Sequence, residues 1–252
     1  SKVAIIGGFA YEAGKEVYIS NIELFDPLTF QISDTGVSLQ QARSHHATTA
    51  VSGGVRILIA GGVNKEKTLD SIEVYRVVNN TFALEKTSEV LSSTRMDHGI
   101  ATIQDHFVFI SGGYQNGSVT KGTTALGSID LLYVDQTNGK VIPICVGNLN
   151  LTKERAGHQT TLLKDNRVLL TGGYNDANGG QVVSEGEIVT LDYQAGAGSC
   201  SLSNFSLSKN NLLRGRYLHR DVLLGNGQVL ITGGADLYTT IDSAEIFNGL
   251  PE

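Results

Sequence analysis

A chain of 252 residues with 40% hydrophobic side chains can bury a core of its own without metals or crosslinks. Its net charge of −6, with no lysine and arginine stripe, excludes the electrostatic footprint of a nucleic-acid binder, and no apolar run is long enough to predict a transmembrane segment. Thirty glycines against three prolines, at only 17% charged residues, exclude a disordered chain and predict short strands joined by tight turns.

Read in chain order, the sequence divides into repeated units. Residues 1–42 carry an apolar run into Gly7-Gly8, a variable loop at Phe9–Ile19 and an acid-bearing strand at Ile22-Glu23-Leu24-Phe25. Residues 43–94 begin with Arg43-x-x-His46, followed by a strand at Ala47–Val51 and a turn at Ser52-Gly53-Gly54. An apolar strand, Arg56–Ala60, then runs into Gly61-Gly62, a loop at Val63–Leu69, a strand at Ile72-Glu73-Val74-Tyr75 and a weaker strand at Thr81–Leu84. Residues 95–154 repeat this with Arg95 and His98, an apolar strand at Phe107–Ser111, Gly112-Gly113, a loop at Tyr114–Gly127 and a strand at Ile129-Asp130-Leu131-Leu132.

Residues 155–215 repeat it again: Arg155 and His158, Gln159–Leu163, Val168–Thr171, Gly172-Gly173 and a loop at Tyr174–Ser184. Here Glu187-Ile188-Val189 takes the third-strand place and Ser201–Leu207 the fourth. Residues 216–252 hold Arg216 and His219, Val229–Thr232, Gly233-Gly234, a loop at Ala235–Ile241 and Ala244-Glu245-Ile246-Phe247, with no clear fourth strand.

The glycine pairs are spaced by 54, 51, 60 and 61 residues, and each histidine precedes its first glycine by 15, 14, 14 and 14. Such regularity marks a repeat architecture, in which one unit cannot bury its own apolar faces and its neighbours do so. The second strand of each unit is almost wholly apolar, which predicts burial on both faces. The fold class expected is therefore all-β, with four-stranded antiparallel sheets stacked beside one another.

The set Arg-x-x-His, apolar strand, Gly-Gly and acid-bearing strand resembles kelch repeats. Segments 155–173 and 216–234 are similar to the bacterial branch related to the galactose oxidase propeller. The resemblance covers nearly the whole chain and implies a β-propeller of kelch-type four-stranded blades, five of them visible, the first and last incomplete. Many kelch repeats carry a tryptophan in the fourth strand. This chain has none, and Phe30, Phe82 and Phe205 stand as substitutes. Kelch propellers close by pairing strands from both termini in one blade. The three strands left at each end exceed one blade, so missing sequence or an additional chain is expected to complete the ring, the alternative being a five-bladed ring with two short blades.

Candidate site residues follow from the repeat. The arginines Arg43, Arg95, Arg155 and Arg216 allow two readings: a ring of cations for an acidic ligand, or guanidiniums tied to loop carbonyls and to the repeated acid. The histidines His46, His98, His158 and His219 and the glycine pairs are read as architecture. Glu23, Glu73, Asp130, Glu187 and Glu245 are expected to pair with an arginine or with backbone N–H groups, since a carboxylate in an apolar strand cannot stand alone.

The loops after the glycine pairs vary most, and variable loops on a rigid scaffold are where binding resides. Tyr114 and Tyr174 follow their glycines directly and Tyr238 lies near its own, each offering an apolar face and a polar tip to a protein or a sugar. Cys145 and Cys200 fall in fourth-strand regions and are expected as free thiols.

No metal site and no cofactor is expected, and no catalytic constellation stands out. The expectation is a non-enzymatic binding module of an exported bacterial protein: periplasmic, cell-surface or secreted, with a protein or glycan ligand and no nucleic acid. Two alternatives remain at this point, a carbohydrate-active enzyme resembling galactose oxidase and a structural subunit completed by another chain.

Overall fold

The computed structural model describes residues 2–85, 87–115, 125–176, 180–193, 200–207 and 211–248, with backbone alone at 146–148, 192–193 and 200–207. Among these residues the chain is all-β, built of small antiparallel sheets. The first sheet holds β1 (Val3–Glu12), β2 (Lys15–Asp26) and β3 (Gln31–Ser38). The second holds β4 (Ala47–Val51), β5 (Arg56–Ala60), β6 (Ile72–Val78) and β7 (Thr81–Glu85), side by side in chain order. The third repeats this with β8 (Gly99–Ile103), β9 (Phe107–Ser111), β10 (Ser128–Val134) and β11 (Val141–Asn150).

The fourth unit contains β12 (Gln159–Leu162) and β13 (Val168–Thr171), then a two-stranded ribbon of β14 (Tyr174–Asn175) and β15 (Gln181–Val182). Its sheet is completed by β16 (Glu187–Tyr193) and β17 (Cys200–Leu207). The last sheet has three strands, β18 (Arg220–Leu223), β19 (Val229–Thr232) and β20 (Ala244–Phe247).

Hydrophobic packing lies between consecutive sheets. Ile22 and Leu24 of the first pack with Ile59 and Tyr75 of the second. Leu58 and Val74 of the second meet Val108 and Leu132 of the third. Phe109 and Leu131 of the third meet Val168 and Val189 of the fourth, and Leu169 and Ile188 of the fourth meet Val229 and Ile231 of the last. A middle strand therefore has one neighbouring sheet on each side, so β9 and β13 are buried at every position. Removing one such Leu, Ile or Val side chain from water contributes about 1.5–3 kcal/mol, and the sum over four slabs holds the stack together. The first strands also touch from unit to unit: β4 with β8, β8 with β12 and β12 with β18.

Three expectations are corrected. Phe9–Ile19 is not an open loop. β1 and β2 continue through it, pairing from Gly8 with Ile19 to Glu12 with Lys15, because Ala13-Gly14, both at positive φ (49° and 76°), makes the hairpin turn. Phe30 is no core residue: it sits at φ 57° and is 77% exposed, whereas Phe82 is buried, and the Phe205 side chain lies outside the described residues. Cys145 is disulfide-bonded rather than free. It stands on β11, which packs against β17, and β17 begins with Cys200, the other cysteine of the chain. The outer strands of these two units stay close instead of diverging.

Candidate functional site

Four of the five units are locked by the same cluster. The guanidinium of Arg43 donates to Glu73 at 2.6 Å, Arg95 to Asp130 at 3.2 Å, Arg155 to Glu187 at 3.2 Å and Arg216 to Glu245 at 2.5 Å. The Nη1 of each also donates to the carbonyl of the first glycine of its unit: Gly61 (2.8 Å), Gly112 (2.9 Å), Gly172 (2.8 Å) and Gly233 (3.0 Å). Each acid accepts, in addition, the backbone N–H three residues before its arginine: Gln40, Ser92, Thr152 and Leu213.

All four arginines are buried at 0% exposure. The reading of Arg43, Arg95, Arg155 and Arg216 as receptors of an acidic ligand is therefore corrected: their donors are turned inward, onto carbonyls and carboxylates. Burying an ion costs several kcal/mol, which only a full set of partners offsets. Glu23 belongs to the unit that has no arginine of its own and makes no ion pair among the described residues.

The glycine pairs join one unit to the next. The second glycine N–H donates to the arginine carbonyl of the following unit: Gly8 to Arg43, Gly62 to Arg95, Gly113 to Arg155 and Gly173 to Arg216, all within 2.8–2.9 Å. The first glycine lies against that same carbonyl and against the next histidine ring. A Cβ on Gly112 would stand 2.4 Å from the Arg155 oxygen and 2.8 Å from the His158 ring. Only a residue without Cβ, at φ near +60°, fits there.

The histidines reach back across the same seam. His158 Nε2 contacts Ser111 Oγ at 3.1 Å, His219 Nε2 contacts Thr171 Oγ1 at 2.8 Å, and His46 bonds to the backbone of Ile6. Burial, then the neighbouring arginine, pushes His46 down to about 4 and His219 to about 3, and holds His98 and His158 well below 6.5. These rings are neutral at physiological pH. Asp221, beside His219 and hydrogen-bonded by Thr171, is pushed up by burial to about 6.

The residue before each histidine forms a second seam. His45, Asp97, Gly157 and Leu218 all adopt positive φ, between 52° and 62°. Their backbones link unit to unit: Asp97 N–H to the His45 carbonyl (3.0 Å), Gly157 to Asp97 (2.8 Å) and Leu218 to Gly157 (2.7 Å). A leucine held at φ 55° is strained, and strain of this kind persists where surrounding structure over-determines it, often at a functional site.

Leu218 lines a cavity of about 150 Å³ together with Asp97, Tyr114, Tyr174, Tyr217 and Leu237. The Tyr174 and Tyr217 rings lie 5.6 Å apart and tilted. Burial pushes the Tyr114 hydroxyl well above its usual value, with Asp176 adding to the effect. Asp97 Oδ1 accepts a hydrogen bond from His45 Nδ1 at 2.9 Å, and that bond raises the His45 imidazole. The loops bring Tyr114 and Tyr174, two of the candidate tyrosines, to this one cavity. Tyr238 stands apart: it is 91% exposed on a turn that Asp236 holds by accepting two backbone N–H groups, and its neighbour Leu237 reaches the cavity instead.

Sequence reasoning missed Asp97, Tyr217 and Leu218. All three lie inside the Arg-x-x-His segments, at the positions that vary between units, and that variability inside a fixed frame is the signal that could have marked them.

No family model matches the chain, and no curated protein does. A solved structure described as "Structure of YjhT" is similar, with a TM-score of 0.68 at 12% identity, covering 98% of this chain and 81% of that one. At that identity the likeness is one of fold alone.

Proposed function

We propose that the repeated sheets are kelch-type β-propeller blades and that the chain is a non-enzymatic binding module of an exported bacterial protein. What supports the blade reading is the stacking of sheet on sheet, with first strands in contact from unit to unit and the Arg-x-x-His and Gly-Gly seam repeated at each junction. The disulfide at Cys145 supports export, because such bonds persist in oxidising compartments.

The ligand we propose is a glycan, seated by a single sugar ring. The observation that carries this is the tyrosine-lined cavity: two tilted rings and a third, more buried one offer apolar faces, while Asp97 offers a hydrogen-bond acceptor. Its volume of about 150 Å³ is below the roughly 300–1,000 Å³ of pockets that swallow a whole drug-sized ligand, so it takes one moiety while the rest of the ligand lies across the loops.

A glycan array followed by calorimetry tests this. Tyr174→Ala and Tyr217→Ala are expected to weaken binding about tenfold each, the loss of one stacking contact of ~1.4 kcal/mol. Unchanged affinity in both, or binding by proteins but by no glycan, would overturn the glycan reading.

A further inference from the structure

The tyrosine cavity has a larger neighbour. A cleft of about 770 Å³ is lined by Asn150, Thr152 and Lys153, where β11 leads into the fourth unit, and by Gln181, Ser184 and Glu185, in and after β15. Leu237 of the last unit lines this cleft and the tyrosine cavity alike. Tyr174 also reaches from one to the other. Its ring lines the tyrosine cavity, while its hydroxyl lies so close to Gly180, on the cleft, that a Cβ there would stand 2.2 Å from the oxygen. Residue 180 has to be glycine, both for that approach and for its φ of +89°.

The cleft is built on a loop unlike its counterparts. Tyr174 with Val182 and Asn175 with Gln181 are the two rungs of the β14–β15 ribbon, whereas the loops of the second and last units make one bridge each, Val63 with Thr68 and Ala235 with Thr240. A feature that every unit carries serves the packing of units, and one that a single unit carries is available to a ligand.

The walls suit a hydroxyl-rich ligand. Asn150, Thr152 and Gln181 are exposed, and their side chains both donate and accept. Among the described residues that line the two cavities, the carboxylates are Asp97, Glu154 and Glu185. Lys153 is the one full cation there, and it is already paired with Glu185. That balance repels an acidic ligand.

We infer that the cleft is the second subsite for a neutral oligosaccharide, whose first ring sits in the tyrosine cavity and whose next rings pass Leu237 and Tyr174 to reach the amides of Asn150 and Gln181. The inference rests on the glycan reading of the tyrosine cavity and adds to it a length and a charge class. The cleft falls within the roughly 300–1,000 Å³ of pockets that hold a whole small ligand, so it has room for more than one further ring.

The test is calorimetry with gluco-, galacto-, manno- and xylo-oligosaccharides of one to four residues, and with a uronate-bearing trisaccharide as the acidic control. In a series that binds, the trisaccharide is expected to bind about tenfold more tightly than the monosaccharide, the gain of one or two hydrogen bonds. The double variant Asn150→Ala with Gln181→Ala should lose that gain while its affinity for the monosaccharide follows the parent. Both side chains are exposed, and a thermal melt matching the parent checks the fold. In the unaltered protein, the side-chain amide NMR signals of Asn150 and Gln181 should shift with the trisaccharide and stay in place with the monosaccharide. Equal affinity for one and three residues would overturn the inference, and the glycan reading would still stand if Tyr174→Ala weakened the monosaccharide. A length gain that survives in the double variant overturns it too, as do amide signals that no sugar moves or binding confined to the uronate-bearing sugar. Binding of no sugar at all overturns both readings together.

Discussion

Arg155 and Glu187 show how a buried charge can be architectural. Both are at 0% exposure, and the guanidinium is spent on one carboxylate and on the Gly172 and Glu185 carbonyls. Removing one partner strands the other in a low-dielectric interior, so Arg155→Ala is expected to cost about 3–5 kcal/mol. The double variant Arg155→Met with Glu187→Leu is expected to recover most of that loss, because no orphaned charge remains. Urea unfolding of the three proteins checks both statements. The acid's partnership was legible in the sequence, where Asp130 and the glutamates keep step with the arginines. That the arginines are closed to ligand was not, because exposure depends on the neighbouring loops.

At the scale of the element, the Gly-Gly corner is a joint between units. Gly172→Ala would place a Cβ 2.2 Å from the Arg216 carbonyl oxygen, in a backbone conformation already unfavourable to alanine. A loss of about 3 kcal/mol or more is expected. Among the described residues a Cβ from Gly233→Ala meets only the Ile241 carbonyl, at an ordinary contact distance of 3.8 Å, so only the left-handed penalty of about 1–2 kcal/mol applies. Chemical denaturation of the pair measures the difference, and equal losses would contradict the Arg216 carbonyl clash as the larger part of the Gly172→Ala cost. Strand positions were readable because apolar runs and turn residues are local signals: β5, β9, β13 and β19 begin and end where the sequence predicts. The β1–β2 hairpin was not, since Ala13-Gly14 is a weaker turn signal than Asn-Gly and Phe9–Ile19 stands where other units carry loops.

For the whole molecule, the four seam histidines link stability to pH. Each has a folded pKa depressed below its ordinary value of 6.5, so its contribution is complete above 6.5 and is lost as pH falls toward about 4 for His46 and about 3 for His219. Asp221 acts in the opposite sense. Its folded pKa is raised from 3.8 to about 6, so its contribution is present below 3.8 and is lost as pH rises through about 6. Four groups outweigh one, and the melting temperature is expected to fall steadily between pH 6.5 and 4. His158→Gln should flatten that slope in a calorimetric pH series, and an unaltered slope would exclude the seam as its origin. The disulfide acts on the same global stability: Cys145→Ser is expected to cost about 2–5 kcal/mol, and the parent should melt at the variant's temperature once reductant is present.

Spacing along the chain was enough to determine the repeat, its strands, the buried acid and the glycine corners, because each is a local demand: two-faced burial, a positive φ, a carboxylate in need of a donor. Only the tertiary structure decided which repeated residues are sealed inside. It gathered Tyr114, Tyr174 and Tyr217 with Asp97 and Leu218 around one cavity and brought β11 beside β17. These outcomes depend on which unit lies next to which, and a periodic sequence specifies the unit far more tightly than the neighbour set against it.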